Sequence, residues 1–337
     1  MLYLTSAWLR LGCCFAANRL VRIAGYGWVA RFYSRRGPRA ACLFALGSVL
    51  AALGYASLSG VWGLIIARLI WGLSFAALNI ATQALATAEP AGAARRSGQM
   101  RAIIAAGSVG GLLGGAVVSQ LAGPRASFLV LTFAALTAIR FALRLPDEGE
   151  GAANRLSRPR FGWPSRLDAW SFVQGMTLDG LFVLGISVLA AAAVPEYAAL
   201  AAGAALALRY IAEILLGPVG GALAERYGAR RVLMLLSAAS AAGLAIIGGG
   251  QLWSGAILVV MLRGLVQPLP APVVAIENPG RDRVPALARL ATWRDLGAGI
   301  GRLLAGALLP ILPQWLLYGG AAFLLAISAT AVGSRRV

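Results

Sequence analysis

Apolar runs of about twenty residues recur from one end of this chain to the other, and clusters of arginine mark every second turn between them. A helix of about twenty apolar residues crosses the ~30 Å hydrocarbon core of a bilayer. Eleven such spans are expected, at about 4–26, 38–56, 61–87, 98–121, 127–143, 169–191, 198–220, 232–249, 254–270, 291–309 and 313–332. The fold class expected is therefore an all-α integral membrane bundle. Of 337 residues, 59% are hydrophobic and 12% charged, with a mean hydropathy of +0.77, which excludes an ordinary water-soluble domain.

The formal charge of +18 comes from 30 arginines and no lysine. In a soluble protein that balance would point to nucleic acid. Here the arginines sit in short clusters between apolar runs, where they orient loops instead, so no nucleic-acid partner is expected. The turns GYASLSG, GGGQLWSG and LPILPQW carry no charge and read as outer turns. The turns around Arg31 to Arg39, Arg95 and Arg96, Arg144 to Arg166, Arg226 to Arg231 and Arg281 to Arg289 read as cytoplasmic, as does the Arg335-Arg336 tail. A Gly-, Pro- and charge-rich stretch sets a linker over 146–168, between halves at 1–145 and 169–337.

Histidine is absent, which removes His-ligated haem, the usual zinc sites and Ser-His-Asp catalysis. Cys13, Cys14 and Cys42 lie inside apolar runs without metal spacing and read as packing residues. No metal or cofactor is expected, and no enzymatic activity.

Two stretches carry one signature: GWVARFYSRR from Gly27, and GALAERYGARR from Gly221, 194 residues later. The second, with Gly221, Glu225, Arg226, Gly228, Arg230 and Arg231, resembles the loop motif of the major facilitator superfamily, G-x-L-A-D/E-R-x-G-R-R/K. In the first, with Arg35 and Arg36, Arg31 replaces the acid and Ser34 the glycine. Arg68 to Gly72 resembles that family's R-x-x-x-G element, with Arg263-Gly264 as its counterpart. Gly107, Gly110, Gly111, Gly114 and Gly115 resemble its glycine-rich antiporter motif, with Gly111 in place of proline, and Gly301 and Gly306 echo them in the second half.

The resemblance covers the whole chain and implies two pseudo-symmetric helical bundles, family helices 2–12, with the first family helix missing. It implies a secondary transporter in a cell inner membrane, a monomer in lipid, moving a small solute by alternating access. Proton coupling is a hypothesis; efflux and uptake of an organic anion both stay open, and a non-transporting or inactive relative is the alternative. The glycines are expected at moving helix interfaces, with static packing as the plain reading.

Ionisable groups inside spans are the functional clues, since burying them in hydrocarbon is unfavourable. Asp179, with Gln174 nearby, reads either as a proton or substrate contact or as one end of a structural ion pair. Glu213 lies four residues after Arg209, so those two are expected to pair on one helix face. Arg68, Arg140, Arg263 and Arg302 either line a polar route or brace helices, and Asn79 with Gln83 are possible cavity contacts. From the resemblance, Glu225 is expected at the start of the helix containing Arg101. Arg31 is expected to pair with Asp295 in the first turns of its helix, as a reversed-charge version of the same contact.

Overall fold

The computed structural model describes residues 2–145, 164–193, 196 and 198–333. Most of the expected linker, Arg335 and Arg336 lie outside the described residues, as do the side chains of Cys13 and Cys14. Each apolar run is helical. The first half holds α1 (Leu2–Arg36), α2 (Ala40–Ser57), α3 (Gly60–Ala86), α4 (Ala93–Ala122) and α5 (Pro124–Ala142). The next run is α6 (Arg166–Gln174), a π-helical turn (Gly175–Leu181) and α7 (Phe182–Ala193) in succession. Then come α8 (Ala198–Tyr227), α9 (Ala229–Gly248), α10 (Leu252–Val266) with α11 (Pro270–Glu277), α12 (Arg283–Leu308) and α13 (Gln314–Gly333).

Among the described residues, nine helical spans are long and apolar enough to cross a membrane. Two of the eleven expected spans are not among them: α1, which Arg10, Arg19, Arg22 and Arg31 interrupt, and α12, whose apolar stretch is broken by Arg294, Asp295 and Arg302. Large apolar side chains face outward, with Leu121 83%, Trp62 79% and Ile311 76% exposed. A surface of that kind is suited to lipid, not water.

Three helix boundaries differ from the sequence reading. The GWVARFYSRR motif is not a loop: α1 runs through it to Arg36 and turns at Gly37, whose φ is 69°. In the second motif the helix stops at Tyr227 and turns at Gly228, φ 89°. Each glycine N–H donates back to a carbonyl of the last turn, Gly37 to Tyr33 at 2.8 Å and Gly228 to Ala224 at 2.9 Å, the usual way a glycine ends a helix. Ser34, standing where the second motif has its glycine, lets α1 continue almost one turn further. The second difference is at 165–168: a capping box between Ser165 and Asp168 starts α6 at Arg166, inside the expected linker. The third is α12, which begins at Arg283, so Asp295 falls in its fourth turn and away from the helix dipole's N-terminal end.

By packing, the chain forms two compact units. One comprises Met1–Leu85, Gly110–Arg160 and Gly280–Thr292. There α2 lies along α5, α1 meets α3 at Gly72, and the Arg39 Nε donates to the Leu145 carbonyl just past α5 at 3.2 Å. The other comprises Ala86–Val109, Phe161–Pro279 and Trp293–Val337. There α9 lies along α13 and α10, around a core that includes Leu178, Phe182, Leu244, Val259, Tyr318 and Leu325.

The first part of α4 belongs to this second unit and runs antiparallel to α8. A Cβ on Gly98 would stand 2.5 Å from the Gly217 carbonyl oxygen, and one on Gly221 would stand 2.4 Å from that of Ala94. Of the antiporter-like glycines, expected at moving helix interfaces, most face open space in this conformation. Gly107, Gly110, Gly111, Gly114, Gly115 and Gly306 have nothing within 4 Å of an added Cβ, and only Gly301 makes a close contact. The reason is exposure: α4 presents Leu112, Leu113 and Val117 outward over the same stretch.

Candidate functional site: a buried charge network

Asp179 sits in the π-helical turn, and that turn is pressed against α12 backbone to backbone. A Cβ on Gly175 would stand 2.3 Å from the Arg294 carbonyl oxygen, and one on Gly301 would stand 2.0 Å from that of Met176. Gly180 and Gly297 are equally close to α12 and α6. Four small residues thus let two helices approach as side chains would not allow, and the approach carries Arg294 to the Asp179 carboxylate. A π turn widens the helix by one residue and occurs mostly at functional sites.

The Asp179 Oδ2 accepts from the Arg294 Nε at 2.8 Å, and its Oδ1 accepts from the Arg263 Nε at 3.0 Å and Nη2 at 2.6 Å. The Gln174 and Gln267 amides approach the same carboxylate at 3.4 Å. Arg263 is 4% exposed, and its Nη1 donates to the Glu213 Oε1. Arg294 also donates to the Gln267 Oε1, at 2.7 Å. α6 with its π turn, α8, α10 with its C-cap residue Gln267, and α12 therefore converge on one carboxylate–guanidinium chain. The arrangement is fork-like, which only arginine supports.

The sequence reading brought Asp179, Gln174, Glu213 and Arg263 forward, and the structure joins all four. Asp179 is paired, to Arg263 and Arg294. One detail is corrected: Glu213 pairs with Arg263 and not with Arg209, because an interhelical guanidinium reaches it head-on. Arg209 instead lies over the ring of Tyr210, 4.5 Å from its centroid. Arg294 and Gln267 were missed; a polar count along their helices would have flagged both as ionisable or amide groups inside a span.

Other expected residues lie elsewhere. Arg68 lines a largely apolar cavity of about 470 Å³ with Tyr55, Trp71 and Phe128. The Gln83 Nε2 donates to the Asn79 Oδ1 at 3.0 Å, so that pair is internally satisfied. Arg140 and Arg302 are exposed, outside the network. Glu225 accepts from the backbone N–H groups of Ala94 at 2.9 Å and Arg95 at 3.3 Å, capping the start of α4 two turns before Arg101. Arg230 donates to the Val332 carbonyl at the end of α13 and meets Glu277 at 3.4 Å. Arg31 is exposed and its Nε donates to the Gly27 carbonyl in its own helix at 3.2 Å. Arg36 lies over Phe32 and Arg226 over Tyr227. Asp295 is buried.

No protein-family model matches the chain, and no curated protein does. Solved structures do. The human organic anion transporter MFSD10 (TETRAN) superposes with a TM-score of 0.81 at 15% identity, covering 95% of this chain and 83% of that one. The Escherichia coli fucose:proton symporter FucP gives 0.75 at 12%, covering 98% and 92%. The chain has the major facilitator fold. The proton:xylose symporter XylE, a major facilitator superfamily protein, gives 0.73 at 13%, covering 97% and 85%. The Asp179 network lies on α6 with its π turn, α8, α10 and α12 of that fold.

Proposed function

We propose that this chain is a secondary transporter, without enzymatic activity, that moves a small solute across a cell inner membrane by alternating access. The observation that carries the reading is the buried chain Arg294–Asp179–Arg263–Glu213, assembled from four helices, three of them apolar enough to cross a membrane. Ion pairs in that position are expensive to maintain, and in membrane proteins they mark solute and proton routes. The superposed structures are of transporters of organic anions, fucose and xylose, the two sugar carriers being proton symporters, which supports the class of activity.

Coupling is assigned to exchange at Asp179. In the conformation described, its two oxygens are held by Arg263 and Arg294, so a proton or solute group entering there must displace a guanidinium. Displacement would free α12 from the π turn and give the two helices a second arrangement. The Gly110–Gly115 stretch, open here, is assigned to the interface that forms in that second arrangement. Basic turns and the C-terminus are placed in the cytoplasm, with the protein a monomer in lipid.

The test is counterflow and pH-gradient-driven flux in proteoliposomes, with pyranine reporting internal pH while a panel of sugars, organic acids and amines is offered. Solute-dependent proton movement that is lost in Asp179→Asn supports the reading. Protein that folds and inserts, yet moves no solute in any gradient, leaves the non-transporting alternative.

A further inference from the structure

The network just described is satisfied, but two arginines beside it are not. The antiparallel register of α4 and α8, with Ala94 level with Gly221 and Gly98 level with Gly217, brings Arg101 near the level of Glu213. Arg209 is one turn before Glu213 on α8. Arg101 is within Coulombic reach of Arg294, Glu213, Asp179 and Arg263, and Arg209 is within reach of Arg263, Glu213 and Asp179.

The Nε atoms of Arg101 and Arg209 are buried without a hydrogen-bond partner, and neither guanidinium pairs with another described residue. Counted together, four arginines face two acids, so the cluster keeps a net charge of +2. A surplus of buried guanidinium in a membrane span needs a counter-charge or a wet cavity. The Tyr210 ring under Arg209 supplies only a weak cation–π contact.

We propose that Arg101 and Arg209 are the anchoring pair for an anionic solute, a small molecule bearing a carboxylate or phosphate, bound against the Asp179–Arg263–Glu213–Arg294 network. This rests on the transporter reading and gives it a substrate class. Arginine suits the role because its planar fork holds carboxylate or phosphate through parallel, charge-assisted bonds. The solute's negative charge would cancel the surplus, and it would also compete with Asp179 and Glu213 for the shared guanidiniums. Binding and rearrangement of the network are thereby one event.

The full chain is reconstituted in phosphatidylcholine nanodiscs and titrated calorimetrically with succinate, inorganic phosphate and glucose. Succinate or phosphate is expected to bind and glucose to give no heat. Arg101→Gln and Arg209→Gln should each weaken binding by about tenfold or more with little change in melting temperature, since neither guanidinium has a hydrogen-bond partner among the described residues. Arg101→Lys should recover part of the affinity. The proposal is overturned if neither anion binds the wild type, or if the double glutamine variant binds as tightly as wild type. It is also overturned if only phosphatidylglycerol in the disc stabilises the wild type and not the double variant, which would make the occupant a lipid headgroup. Anion binding without counterflow would retain the anchoring pair and remove the transport reading. Counterflow of a neutral solute without anion binding would do the reverse.

Discussion

Arg39 and Arg230 make the same hydrogen bond in the two repeats. Each sits two residues after the glycine that ends a helix, and each Nε donates to a carbonyl at the end of its repeat's last helix, Leu145 at 3.2 Å and Val332 at 2.8 Å. The repeat thus has a spacing of 191 residues at the turn, not the 194 of the motif's first glycine. Arg230→Ala should lower stability by about 1–2 kcal/mol, because it strips a charge-assisted bond from the α13 carbonyls. Arg230→Lys should recover only part of it, lacking the fork. Thermal melting of the purified protein in detergent checks both, and equal melting of all three would remove the capping role.

Gly301 and Gly306 stand one turn or so apart on α12 and should respond oppositely. Gly301→Ala would place a methyl into the Met176 backbone and should destabilise by about 1–3 kcal/mol, the usual consequence of overpacking. Gly306 faces open space, so alanine there should stabilise by up to about 1 kcal/mol through helix propensity. Melting temperatures that moved together would be inconsistent with a backbone contact between α12 and the π turn at Gly301.

Asp179→Asn should be destabilising and should stop coupled flux. Removing the charge leaves Arg263 and Arg294 facing each other, and breaking a buried pair from one side typically costs about 3–5 kcal/mol. The double variant Asp179→Asn, Arg294→Gln should regain part of the stability without regaining transport. Normal flux in the single variant across pH would exclude coupling through this residue.

Topology is open to cysteine labelling from the outer side. Cysteines at Ser59 and Trp253, both exposed, should label, and one at the basic end of α1 should not. Ser34 is buried, so the informative basic-end position is Arg35, which is exposed. Labelling at Arg35 from outside would invert the assignment.

The bundle was legible because hydrophobic run length is a local property, and lipid converts it directly into helices. Asp179 and Arg263 were legible because a charge inside a span stands out against its neighbours. Their partners were not. Glu213 has an arginine four residues away in sequence, yet the nearer guanidinium comes from α10, and only the packing angle of the two helices decides that. Arg294 enters through a close approach set by Gly175, Gly180, Gly297 and Gly301, where the signal is the missing side chains themselves. Family resemblance drew attention to the other glycines, Gly107 to Gly115, where an added Cβ would meet nothing in this conformation.

The π turn at Gly175–Leu181 has a consequence for how this helix tolerates change. A π turn is an α-helix holding one residue more than its length requires. A single-residue deletion elsewhere in a membrane helix rotates everything beyond it by about 100° and misdirects its apolar face. Within 175–181 the same deletion would remove the surplus and leave α6 and α7 each with its own facing. The segment that carries the charge is thus also the place where the chain can lose a residue and still fold as a helix across lipid.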